Sequence, residues 1–226
     1  MIRAVCKLST VAKPDREQQL LTALTTEHFT LQGARAQTLA ESSSRATVYV
    51  GAVSSALIAL GFIGQISAMG TPFQIFALIV LPTLYVLGVA THIRLVECGV
   101  EDLRYGIAIN RIRAHYRDLA GDRASLFLLT GHDDPRGVFD NAGVPAGRRP
   151  QFFSFATVVA TINAVVGGSA VGVAVAAAAA PPFEIAAAAG AVAGVVSIVV
   201  WLRVAARILS GRVPRDPPLH PTPPAG

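Results

Sequence analysis

His132, Asp133 and Asp134 form the most compact set of metal-ligating side chains in the chain. Imidazole and carboxylate groups can hold a divalent cation, but a loop site needs ligands converging from several places. No second cluster of that kind stands elsewhere. The stretch 131–137, with Pro135 following two aspartates and glycine at either end, reads first as turn chemistry. Cys6 and Cys98 lack CxxC spacing and are expected as two reduced thiols. His92 falls at the end of an uncharged run, and His28, His115 and His220 are scattered. No nucleophile motif, phosphate-cradling glycine loop or pair of carboxylates within an apolar run is present. The chain is expected not to be an enzyme and to carry no cofactor and no metal.

Asn163 is the strongest polar group inside any long apolar run, with Thr157, Thr161 and Ser169 near it. It lies about 12 residues into its run, close to the midplane of a bilayer about 30 Å thick. A lone amide at that depth must find a partner, since lipid offers none. An interhelical hydrogen bond that locks packing is the first reading, and a pore lining is the second.

The elements that position these groups follow from charge and periodicity. Of the 226 residues, 52% are hydrophobic and 15% charged, against about 25% charged in ordinary soluble domains. Four uncharged windows, 46–71, 73–93, 151–183 and 185–202, are each long enough to supply the roughly 17–25 residues of a membrane span. All 19 Lys and Arg lie before, between or after these two pairs of windows. By the positive-inside rule both termini and the middle segment are expected in the cytoplasm, with the chain in the plasma membrane. A basic face beside anionic lipid accounts for the net charge of +5 without nucleic acid.

The expected fold class is all-α, a polytopic membrane protein with four transmembrane helices and a cytoplasmic helical layer continuous with the first two spans. Residues 1–13 read as a tail, 14–45 as a cytoplasmic helix started by Pro14 and Asp15, and 46–120 as the first two spans with a long extension. The second span and its extension form one helix of about 47 residues, roughly 70 Å long. Residues 121–150 read as a loop with a short helix, 151–207 as an Ala/Gly-rich pair of spans, and 208–226 as a disordered Pro-rich tail.

Two pairings are expected. Leu20, Leu24 and Leu31 make a narrow apolar stripe that should cover Tyr105, Ile109, Ile112 and Tyr116. Gly168 and Gly172, and again Gly190 and Gly194, are GxxxG pairs suited to close helix packing.

Three phrases, Leu31-Gln-Gly-Ala-Arg-Ala-Gln-Thr-Leu-Ala-Glu-Ser-Ser, Tyr105-Gly-Ile-Ala-Ile-Asn-Arg-Ile-Arg-Ala-His-Tyr and Gly131-His-Asp-Asp, carry a resemblance. Over roughly residues 15–175 the chain resembles an uncharacterised group of actinobacterial four-span membrane proteins, which implies a fold and no activity. The layout of residues 15–120 is similar to SLATT membrane-effector domains, which implies oligomeric pores. The expected function is accordingly a helical homo-oligomer with a channel-like or effector role. The alternative is a non-conducting structural or regulatory protein whose cytoplasmic helices bind a soluble partner. A small-solute transporter comes third, since no charged residue lies inside a window.

Overall fold

The computed structural model describes residues 15–144, 155–179, 182–212 and 217–223. The expected tail 1–13, with Cys6 and Pro14, lies outside them. The described chain is all-helical. α1 spans Arg16–Ile66, α2 Thr71–Ala120, α3 Pro135–Asn141, α4 Phe155–Ala179 and α5 Phe183–Arg212. A 3-10 turn, Gly121–Leu126, follows α2. α1, α2, α4 and α5 are long and apolar enough to cross a membrane.

α1 runs without a break across the boundary expected at residue 45, and α2 likewise carries its apolar run into its charged one. Nothing in either sequence stops a helix there, because both boundaries lack the Gly or Pro signals that end one. Pro82 lies within α2 on an exposed face, and the helix continues through it. The sharp turn between α1 and α2 falls at residues 67–70. Ala68 and Met69 adopt positive φ there, while Thr71 and Pro72 already open α2.

The bundle is antiparallel between neighbours. α1 pairs with α2 (Glu41 with Arg94, Arg35 with Asp102), α2 with α4 (Gly88 with Asn163), and α4 with α5 (Gly168 with Gly190). α2 and α4 occupy the middle. The apolar core joins Tyr49 and Val53 of α1, Ala77, Leu81 and Leu84 of α2, and Val159 and Val166 of α4. α5 leaves its apolar face outward, with only 6% of its most apolar stretch buried within the chain.

Candidate functional site

Two polar constructions stand out, one inside the apolar half of the bundle and one at its charged end. Inside, Asn163 is fully buried, and its Oδ1 accepts a hydrogen bond from the Tyr49 hydroxyl at 3.0 Å. Gly88 of α2 closes the third side. A β-carbon there would fall onto the Asn163 amide and come within 2.7 Å of the Tyr49 hydroxyl. Three helices therefore meet at one amide, and the missing side chain at position 88 makes the room. Thr161 hydrogen-bonds within its own helix, to the Thr157 carbonyl.

A second cluster ties α2 to α5. The Tyr85 hydroxyl lies 3.1 Å from Ser197 Oγ and accepts from Trp201 Nε1 at 3.3 Å. His92 is buried against the Trp201 ring, its Nδ1 2.9 Å from the Ala156 carbonyl. This fixes the imidazole against α4 and α5 rather than at an aqueous edge. Asn163 Nδ2 and His92 Nε2 have no hydrogen-bond partner among the described residues.

The glycine pairs face each other across α4 and α5. A β-carbon on Gly168 would sit 2.6 Å from the Gly190 carbonyl oxygen, and one on Gly190 2.7 Å from that of Gly168. Gly172 and Gly194 complete the same contact, against Ala186 and Ala164. Backbone meets backbone, as small-residue spacing permits.

At the charged end the stripe proposed on α1 is only partly a seam. Leu24 and Leu31 are half-buried, but Leu20 is 49% exposed. On α2, Ile109 and Ile112 are buried and Tyr105 and Tyr116 half-buried. The Tyr116 hydroxyl donates to Thr25 Oγ1 at 3.3 Å, and its ring lies 6.0 Å from that of His28. Nearer the apolar half the buried α1 positions are Thr38 and Ser42, small polar residues that the apolar pattern passes over.

Ion pairs flank them. Arg35 meets Asp102 at 2.7 Å, and Arg94 reaches both carboxylate oxygens of Glu41, at 2.9 and 3.0 Å, as well as Glu101. Hydrogen bonds from Arg94 and then Arg45 hold the Glu41 carboxyl down at about 2. Arg212, the last residue of α5, pairs with Glu97 at 2.7 Å and lowers that carboxyl too.

The motif 132–134 is more than a simple turn. Among the described residues no group of His, Cys, Asp and Glu is placed to hold a metal. Asp133 is buried and bonds to Arg111 Nε at 2.7 Å. Asn110 Nδ2 donates to the His132 carbonyl at 2.8 Å, and Gly131 lets the loop lie on Ala114 of α2. Asp134 caps α3, accepting from the Gly137 N–H at 2.6 Å, the standard service of an aspartate at a helix start.

Their remaining capacity goes to residues 217–223, part of the stretch whose composition points to a disordered tail. Asp133 accepts the N–H groups of Leu219 and His220, at 3.1 and 2.7 Å. Asp134 accepts the N–H and hydroxyl of Thr222, at 2.6 and 2.7 Å. The Asp133 N–H and Arg136 donate back to the carbonyls of His220 and Pro223, at 3.1 and 3.2 Å. Burial alone would raise both aspartates, yet hydrogen bonds from His220 and Leu219 with Arg111 leave Asp133 lowered, and those from Thr222 and Gly137 leave Asp134 lowered. Composition argues for disorder because such segments bury little apolar surface. Here one buried and one half-buried carboxylate supply the ordering instead.

Beside this clasp runs a groove of about 750 Å³, lined by Leu20, Leu24 and Leu31 of α1, Ile107 and Ile112 of α2, and Leu219. No family model, curated protein or solved structure matches the chain.

Proposed function

We propose that this chain is a non-conducting membrane protein of regulatory or structural role. Its charged helical layer lies in the cytoplasm with both termini and docks a soluble protein. The one-sided distribution of all 19 basic residues favours that orientation, and the plasma membrane is the proposed site.

The single observation that carries the reading is the fate of Asn163. Its oxygen is taken by Tyr49 and its flank by Gly88, so the strongest polar group of the spans serves helix packing. A conducting path needs polar groups facing water along the bundle, and this one faces α1 and α2 from its own helix, α4. The charged layer supports the other half of the reading. It holds a groove beside a built hydrogen-bonding site, whereas a mere anchor needs neither.

The test is ion flux through liposomes containing the purified protein, where no flux above empty vesicles is expected. Reporter fusions at Gly70 and Ala120 should report opposite sides of the membrane, with Ala120 cytoplasmic. A conducting homo-oligomer is the second reading. The observation that favours it is the uncovered apolar face of α5, which a second copy or lipid could equally cover.

A further inference from the structure

Residues 217–223 read Pro-Pro-Leu-His-Pro-Thr-Pro, four prolines in seven positions. Proline has no N–H and a preset φ, so this stretch has three backbone donors, on Leu219, His220 and Thr222. All three are accepted by the Asp133 and Asp134 carboxylates, at 2.6 to 3.1 Å. Hydrogen bonds to ionised acceptors are about twice as strong as neutral ones. The match is therefore between a donor pattern set by proline spacing and a pair of acceptors fixed by the fold. Arg111 holds Asp133 from α2, Asn110 fixes the neighbouring His132 carbonyl, and the Gly137 N–H holds Asp134 at the start of α3.

The occupant is held by its backbone and by one hydroxyl. Its large apolar side chain, Leu219, is 66% exposed, so almost no apolar burial anchors it. A segment packed for good buries such a side chain, worth about 1.5–3 kcal/mol. This one is clasped at its polar atoms and can leave without exposing a core. When it leaves, the Asp133 and Asp134 carboxylates come free beside a groove along Leu20, Leu24 and Leu31 that is already open.

We propose that the Asp133–Asp134 clasp is a recognition site for proline-rich segments. The chain's own residues 217–223 occupy it as a releasable strap, and the soluble partner's segment of the same donor spacing competes for it. This names the chemistry of the partner in the reading above and rests on that reading for the partner's existence. The site, as a peptide site, does not depend on it.

The test uses the full-length protein in lipid nanodiscs and reads amide hydrogen exchange at 217–223. The probe is a terminally blocked peptide of the same seven residues, distinguishable by mass. Its control is N-methylated at the three donor positions. In the protein alone, the amides of Leu219, His220 and Thr222 should exchange at least about tenfold more slowly than in the free peptide. Excess peptide should abolish that protection, while the N-methylated control should leave it intact. Asp134→Asn keeps the α3 cap but turns an amide NH₂ toward Thr222. It should deprotect the Thr222 amide while α3 stays protected. Protection that survives saturating peptide, or that the N-methylated peptide removes equally well, overturns the proposal. A strap that exchanges in a protein that also passes ions would instead sink the non-conducting reading and leave the peptide site standing.

Discussion

Between α4 and α5 the contact is made by what the residues lack. Gly168, Gly172, Gly190 and Gly194 bring two backbones together until a single β-carbon would collide with a carbonyl. Between the charged ends of α1 and α2 the contact is made by what the residues reach with. Arg35, Glu41, Arg94 and Asp102 span the gap, and Ile112 and Tyr116 fill it. The difference follows from solvent. In hydrocarbon, burying Leu against Leu gains nothing over lipid, so close approach and dispersion must hold helices together. Outside it, apolar burial and charge pairing both act against water. Asn163 belongs to the first regime and the Asp133–Asp134 clasp to the second. Only the second holds an extended segment by its backbone.

Substitutions should separate the two regimes. The largest effect is expected at Ile112, which is buried within the charged layer. Ile112→Asp places an unpaired carboxylate there and should destabilise by about 3 kcal/mol or more, read as loss of protease resistance in residues 16–45. Next comes Gly168→Ala. A methyl 2.6 Å from the Gly190 carbonyl oxygen forces backbones apart at about 1–3 kcal/mol, measured by unfolding in mixed micelles. The same change at Gly51, which has no neighbour within 4 Å, should be nearly silent. Equal effects at the two glycines would remove the close-approach argument.

Tyr49→Phe deletes the donor to Asn163 and should cost about 1 kcal/mol, with the bundle otherwise intact by circular dichroism.

The smallest effect is electrostatic and belongs only to the charged layer. Glu41 is lowered from 4.5 to about 2 in the fold, so its contribution is complete above pH 4.5 and is lost as pH falls toward 2. Thermal midpoints of the wild type should drop across that window more than those of Glu41→Gln. Parallel pH profiles would mean that the Arg94 and Arg45 pairs do not bias folding.

The four long apolar helices and the charged extension of α2 were legible because an uncharged run and a following amphipathic run leave periodic marks. The glycine pairs were legible as spacing, though which faces they would join was not. Asn163 was legible as a residue in need of a partner. Its partner was not, since Tyr49 and Gly88 lie 114 and 75 positions away and no local pattern links them. The α1 seam was misjudged for a physical reason. Reading apolar residues alone selects Leu20, which is half exposed, and passes over Thr38 and Ser42, which are buried. Arg113, next to the buried Ile112, is half-buried and donates to Asn110 and the Thr130 carbonyl, partners that no local spacing marks. The strap was the least legible feature. Proline content signals the absence of a core, and nothing in residues 217–223 points to two aspartates more than 80 positions earlier.

The central claim is that the polar groups of the spans hold helices together and conduct nothing. Ion flux through liposomes containing wild-type protein and Asn163→Leu measures it directly. The account predicts no flux above empty vesicles in either, with Asn163→Leu less stable by about 0.6–2 kcal/mol. Flux in the wild type that disappears in an intact, correctly assembled Asn163→Leu protein would contradict it.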